Sequence, residues 1–281
     1  MRKIVFLDID GTLTDFEGKL PDSALEALKM AHQNGHLLVI CSGRGLTQIR
    51  PFFRTSPLFS GIVCAAGALV LEGGKILCNE TIPEKELSPL VNFLESTGCY
   101  YFLQCTDGIF GTKTSVEMGT NLIGNGRLTP KDREERFGRT DITEHPKDLT
   151  NCNKVVYYNL PGTLEEARQR ISPYFAVTGS SFKFPKGENI THDGEITIAS
   201  CPKSFGMEQY LKHVDATFAD TIAFGDGPND NEMIESAGIG VAMGNAVEPL
   251  KKAADLVTTD IHDNGIWNGF VKTGLIEGDL R

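Results

Sequence analysis

Long apolar runs are missing from this 281-residue chain: no stretch approaches the roughly 18 apolar residues that a membrane helix needs. The opening Met1-Arg2-Lys3-Ile4-Val5-Phe6-Leu7-Asp8 lacks the longer apolar run that a secretory signal needs, so it does not read as one. A cytoplasmic protein with no membrane partner is expected. The seven cysteines, at 41, 64, 78, 99, 105, 152 and 201, are odd in number and never spaced Cys-x-x-Cys. That pattern fits free thiols in a reducing compartment rather than a disulfide framework. The six histidines are scattered and no His-Glu-x-x-His occurs, which leaves zinc without a ligand set. Positive charge is also scarce. Lys plus Arg is 27 against 37 for Asp plus Glu, a net charge of −10, the wrong sign for nucleic acid as a partner. No internal repeat, low-complexity tract or Gly/Ser-rich linker interrupts the sequence.

What is present is ordinary globular material, 40% hydrophobic and 23% charged, enough for a sizeable core. Lys3 to Leu7 is a near-continuous apolar run, as expected of a strand buried on both faces of a parallel sheet. Pro21-Asp22-Ser23 opens a helix with Leu25, Leu28, Ala31 and His32 at helical spacing, closed by Gly35. Leu37 to Cys41 and Ile62 to Ala65 read as further strands, with a helix over Leu46 to Phe53 between them. This alternation predicts an α/β fold with an open parallel sheet and helices on its faces.

From Val70 to Thr81 two short runs flank Glu72-Gly73-Gly74, a hairpin signal. Residues 82–190 then mix helices (Glu84 to Ser96, Leu164 to Tyr174) with strands (Tyr100 to Gln104, Lys154 to Asn159). That segment holds 14 acidic and 13 basic residues, leaving 23 acidic and 14 basic for the flanks. After Gly194 the first pattern returns, with strands at Glu195–Ala199, Thr221–Phe224, Ile239–Ala242 and Leu256–Thr258. Helices are read at Ser204–His213 and Asn229–Ser236. The expected architecture is a discontinuous α/β domain, 1–81 and 191–281, interrupted by an inserted α+β domain, 82–190.

In open α/β sheets ligands bind beyond the carboxyl ends of the strands, so residues at those ends are the informative ones. Here they are Asp8-Ile9-Asp10-Gly11-Thr12, Ser42-Gly43-Arg44, Lys203 after the returning strand, and Gly225-Asp226-Gly227-Pro228-Asn229-Asp230. Each has an ordinary structural reading taken singly: a turn former, a helix cap or a solvated lysine. Together, in order and each beside an apolar strand, they place four carboxylates, a lysine and a hydroxyl on one sheet edge. Carboxylates crowded like this repel unless a cation sits among them or a pKa is raised. Oxygen-only ligands point to a hard ion, and Mg²⁺ is the usual one where a phosphate shares the site. The residues therefore read as a magnesium-assisted phosphoryl-transfer site.

The same motifs resemble the haloacid dehalogenase-like superfamily, and more closely its Cof-type sugar phosphatases with a type IIB cap. Met243-Gly244-Asn245-Ala246, Ala253-Ala254-Asp255 and Asp263-Asn264-Gly265-Ile266 extend the resemblance over nearly the whole chain. It implies a Rossmann-like three-layer core, with the inserted segment as a cap that sets specificity. It also implies a role for each matched residue. Asp8 is the nucleophile and forms an aspartyl-phosphate, and Asp10 is the general acid and base. Asp8, Asp226 and the Asp10 carbonyl hold Mg²⁺, with Asp230 behind them. Ser42, Gly43, Lys203 and Asn229 bind phosphate, while Arg44 is either a phosphate contact or structural. One departure stands out: where the family has Asn-Gly-Ala, this chain has Ala66-Gly67-Ala68.

The function expected is hydrolysis of a small phosphorylated metabolite, foremost a sugar phosphate, by a monomer or homodimer. Alternatives are a phosphomutase of the same superfamily and a non-catalytic phosphosugar-binding sensor. Resemblance to the Cof branch disfavours the first, and retention of Asp8, Asp10, Lys203, Asp226 and Asp230 together disfavours the second.

Overall fold

The computed structural model describes residues 2–122, 138–179 and 191–281. It divides into two compact units, one of Met1–Gly43, Pro51–Cys78 and Pro202–Arg281, the other of Arg44–Arg50 and Asn79–Cys201. The chain begins with β1 (Ile4–Leu7), α1 (Asp22–Gln33), β2 (Leu37–Cys41), α2 (Pro51–Thr55) and β3 (Phe59–Cys64). A hairpin of β4 (Leu69–Glu72) and β5 (Lys75–Asn79) follows. Its turn residues Gly73 and Gly74 both have positive φ, which matches the right-handed twist of the strands they join.

The second unit contains α3 (Glu84–Thr97), β6 (Tyr100–Cys105), β7 (Ile109–Gly111), α4 (Lys113–Leu122), β8 (Thr140–Ile142), β9 (Cys152–Pro161), α5 (Leu164–Arg170), β10 (Phe175–Gly179) and β11 (Thr191–Ile198). The first unit resumes with α6 (Lys203–His213), β12 (Thr221–Gly225), α7 (Asn231–Ser236), β13 (Ile239–Ala242), α8 (Glu248–Ala253), β14 (Leu256–Val257) and α9 (Gly265–Lys272). Among the described residues, no helix is long and apolar enough to cross a membrane.

The first sheet runs β14-β13-β12-β1-β2-β3-β4-β5. Its strands are parallel from β14 to β3, and β4 is antiparallel to β3. β1 lies at the centre with all four side chains buried, as its unbroken apolar run requires. Phe6 pairs in register with Ala223, so Phe6 and Phe224 point to opposite faces. Phe6 meets the Tyr210 ring of α6 edge-on at 6.1 Å, and Phe224 meets Phe270 of α9 at 5.2 Å. Helices therefore cover both faces, giving the three-layer α/β fold.

The second sheet runs β10-β11-β9-β6-β7-β8 and is antiparallel except between β7 and β8. The strand expected at Glu195–Ala199 belongs here, between β9 and β10, rather than in the first sheet. The reason is its pattern. Glu195-Ile196-Thr197-Ile198 alternates half-buried and buried, the signature of an antiparallel strand with one covered face, whereas the central strands of the first sheet are buried throughout. The first unit thus resumes at Pro202, not at 191.

Two helices are shorter than their periodicity suggests. Leu46–Phe53 resolves into a single turn at Leu46–Gln48, an extended Ile49 and then α2, because Pro51 disfavours helical geometry at Arg50. α5 stops at Arg170 rather than Tyr174, since Ser172 precedes Pro173. Helices α4, α8 and α9 and strands β7, β8 and β10 were not anticipated from the sequence; most are too short to show a period.

α6 packs against β3, β4 and the loop after β3. A β-carbon at Gly206 would lie 2.4 Å from Val63 Cγ1 and 2.8 Å from the Gly67 carbonyl, so only glycine permits this approach. Gly206→Ala should force the helix outward. Overpacking of about 1–3 kcal/mol is offset in part by alanine's better helix propensity. We expect the thermal midpoint to fall by roughly 2–6 °C; an unchanged midpoint in calorimetry would show that the spacing has slack.

Candidate active site

Parallel pairing aligns Leu7 with Ile40 on one side and Phe224 on the other, so β1, β2 and β12 end together. The residues that follow, Asp8, Ser42 and Asp226, consequently meet at one sheet edge. Asp8 continues the strand for one more bond, its N–H donating to the Phe224 carbonyl at 3.1 Å. Lys203, first residue of α6, reaches the same edge and is fully buried.

Lys203 Nζ donates to Asp8 Oδ1 at 2.6 Å and to Asp230 Oδ1 at 2.5 Å. Burial alone would lower the lysine pKa, but the carboxylates of Asp230 and Asp8 outweigh it and hold it above its ordinary value. Asp8 moves the other way from a normal carboxyl. Burial raises its pKa, Lys203 offsets part of that, and the nearby charges of Asp230 and Asp226 add to the rise. Asp226 is pushed up to about 7, by burial first and by Asp230 second.

Asp230 is inaccessible, and both of its oxygens are engaged. Oδ1 accepts from Lys203, and Oδ2 accepts the N–H groups of Asp226 and Gly227 at 3.0 and 2.9 Å. It fastens the lysine to the loop that carries Asp226. Thr12 Oγ1 donates to Asp226 Oδ1 at 2.9 Å. Gly11, at φ +86°, lets the first loop close over this carboxylate; a β-carbon there would sit 2.2 Å from Asp226 Oδ2. Asn245 secures that loop from behind, donating to the Gly11 carbonyl at 2.8 Å and accepting from Ile261 N–H. Thr12 and Asn245 lie within motifs quoted from the sequence, but no role was read for them. Their signal was a side chain able to bond a neighbouring loop, which becomes specific only once the loops are adjacent.

The remaining expected residues fall as follows. Asp10 is half-buried on the loop after β1, bridged to Thr14, and its carboxylate is not part of the gathered cluster. Ser42 is buried. Its N–H donates to the Val63 carbonyl, and its own carbonyl accepts from Ala66 N–H at 3.3 Å. Asn229 is exposed, and its amide lies alongside Gly43, 3.5 Å from where a β-carbon would stand. It is not the cap of the following helix, whose N-cap position is Asp230. Arg44 donates to the Gln48 carbonyl at 3.1 Å and so supports the turn at Leu46–Gln48.

Ala65 and Ala66 both adopt left-handed backbone, at φ +50° and +60°. Such geometry costs an alanine about 1–2 kcal/mol, whereas asparagine, the residue of the related motif, tolerates it better. The conformation is adopted here without the side chain that favours it, and it delivers the Ala66 N–H to the Ser42 carbonyl.

Asp8, Asp226 and Asp230 each offer a carboxylate oxygen within 4.8 Å of the others, all buried. Asp8 and Asp226, the latter under a loop that a β-carbon would block, are hard anionic donors that fit a divalent cation such as Mg²⁺, while Asp230, with both oxygens engaged, fixes the loop behind them. Burial is the first cause of the raised pKa of both Asp8 and Asp226, and the neighbouring carboxylates add to it; a cation among them would offset both.

A family model described as haloacid dehalogenase-like hydrolase matches residues 5–270. Phosphatase YwpJ of Bacillus subtilis (strain 168) is 26% identical over 288 residues, covering 94% of this chain and 97% of its own. Pyridoxal phosphate phosphatase YbhA of Escherichia coli (strain K12) is 27% identical over 266 residues, covering 92% and 93%. Among solved structures, the HAD subclass IIB sugar phosphatase BT4131 aligns with a TM-score of 0.80 and 27% identity, over 98% of this chain and 100% of that one.

The pKa shifts set a pH dependence. A carboxyl whose folded pKa is raised contributes stability below its unfolded value, near 3.9, and loses it as pH rises through the folded value. For Asp226 the window ends near pH 7, and Asp8 acts in the same direction. Protein stripped with EDTA should therefore lose thermal stability between about pH 4 and 7, and added Mg²⁺ should restore more at the upper end. A Mg²⁺ increment independent of pH in scanning fluorimetry would contradict this.

Proposed function

The chain belongs to the haloacid dehalogenase-like hydrolases, in their Cof-type branch, and on that premise we propose that this phosphoric monoester hydrolase acts on small phosphorylated metabolites, foremost sugar phosphates, through an aspartyl-phosphate. The observation that carries this reading is Asp8, buried and bonded to Lys203, at the meeting point of Asp226 and Asp230. Relatives named as phosphatases support it.

In the proposed reaction an Asp8 carboxylate oxygen forms a bond to phosphorus as the ester P–O bond breaks. Asp10 gives its proton to the departing alkoxide, then takes one from the water that attacks the phosphoryl-aspartate. Inorganic phosphate leaves and the Asp8 carboxylate is regenerated. Lys203 holds Asp8 in place and, with Ser42 and the Gly43 backbone, offers positive charge and donors to the phosphoryl oxygens. Asn229, beside Gly43, adds a further donor. Asp230 fixes both Lys203 and the backbone of Asp226. Mg²⁺, held by Asp8, Asp226 and the Asp10 carbonyl, would supply the charge that lets an anionic nucleophile meet an anionic ester. The inserted unit is read as the cap that sets specificity, and the seven free thiols fit a cytoplasmic setting.

Asp8→Asn should reduce p-nitrophenyl phosphate hydrolysis by at least about 10³-fold, since a neutral amide cannot serve as the nucleophile. Asp10→Asn should lower kcat by about 10²–10⁴-fold while leaving substrate binding measurable. EDTA should silence the wild type reversibly. Near-normal turnover in the Asp8 variant would remove the covalent mechanism.

A further inference from the structure

The segment after α9 folds back onto the first turn of that helix. Trp267 Nε1 donates to the Asp279 carbonyl at 2.9 Å, and the Arg281 guanidinium stacks 3.4 Å from the centre of the Trp267 ring. The same guanidinium donates twice to the Glu26 carboxylate of α1, at 2.6 and 3.0 Å. An exposed ion pair of this kind contributes little by itself. The residue beneath it, Asn268, connects it to the rest of the unit.

Asn268 is 1% exposed. Its Oδ1 accepts from the Arg281 N–H at 2.8 Å. Its Nδ2 lies 2.9 Å from the Arg281 main-chain oxygen, 2.9 Å from Thr259 Oγ1 and 3.3 Å from the Asp263 carbonyl. One amide therefore joins the returning segment to the loop between β14 and α9. That loop carries the connection onward. The Thr259 carbonyl accepts from the Gly244 N–H at 2.9 Å, and the Ile261 N–H donates to Asn245 Oδ1 at 3.0 Å. The approach is tight, since a β-carbon at Gly244 would lie 2.4 Å from the Asp260 nitrogen. Asn245 holds the Gly11 carbonyl, and the Gly11 loop lies over the Asp226 carboxylate. Each link joins backbone or short amide groups, so a shift at one is not absorbed by a long, flexible side chain.

We propose that Asn268 is a positioning residue for the Asp226 edge: it transmits the docking of Asp279–Arg281 to the Gly11 loop and so sets how tightly that edge binds a divalent cation. The inference rests on the metal site proposed above, though not on the reaction performed there.

Two measurements test it, on Asn268→Ala and on the milder Arg281→Ala, which removes only an exposed side chain. The first is hydrogen exchange of the metal-free protein. The Gly11 N–H donates to the Thr14 carbonyl and the Thr14 N–H to the Ile9 carbonyl, so both amides report closure of the loop. They should exchange about tenfold faster in Asn268→Ala and about threefold faster in Arg281→Ala, with the amides of the remote strand β4 unchanged. Unchanged exchange at Gly11 and Thr14 overturns the proposal, and so does an equal acceleration in β4, which marks simple destabilisation. The second is calorimetric titration with Mg²⁺, whose Kd should rise about three- to tenfold in Asn268→Ala and by less in Arg281→Ala. A Kd equal to that of the wild type overturns the coupling and leaves the metal site standing. A wild type that binds no Mg²⁺ refutes the metal site itself, and the cation half of this proposal with it.

Discussion

A single buried ammonium, Lys203, shared between Asp8 and Asp230, makes the rest of the first unit's polar edge possible. Three carboxylates whose oxygens lie within 4.8 Å repel one another by about 3.5 kcal/mol per pair at an effective dielectric near 20. One lysine cancels one of the three charges. The two that remain match a divalent cation in number; burial first, and then the neighbouring Asp230 carboxylate, pushes the Asp226 pKa up to about 7. The lysine does more than neutralise. It ties the end of β1 to the loop after β12, so the proposed nucleophile and the Asp226 backbone share one hydrogen-bonded frame.

That frame depends on how closely backbone segments approach. α6 can carry Lys203 to the sheet edge only because Gly206 presents no side chain to Val63 and Gly67. The first loop can fold over Asp226 only because Gly11 has neither a β-carbon nor an objection to positive φ. Asn245 then holds that loop from the opposite side. The acidic groups are thus placed by glycines and amides that carry no charge of their own. Order of this kind resists repulsion because the polypeptide, rather than the carboxylates, bears the constraint.

Much of this was legible in the sequence where a pattern was long or a strand end was polar. The central strands announced themselves as unbroken apolar runs, and Asp8, Ser42, Lys203 and Asp226 each follow or face one of them in space. The return point of the first unit was not legible in the same way. Glu195-Ile196-Thr197-Ile198 identifies a strand, but only its alternation, weighed against the solid runs of β1 and β12, says which kind of sheet it joins. Gly206, Thr12 and Asn245 escaped for a different reason. Each acts through a partner more than a hundred residues away, and no local spacing encodes such a contact. The alternating Ala65 and Ala66 question is the reverse case: the substitution for asparagine was visible at once, and the left-handed backbone that makes it costly was not.

The two units also solve opposite electrostatic problems. The first accumulates like charge and leaves it incompletely cancelled, as a site for a divalent ion and a phosphoryl group requires. The second, nearly balanced in composition, sets the buried ammonium of Lys154 against Glu195 at 2.7 Å, a carboxylate that keeps contact with solvent, so its charge is met where it arises.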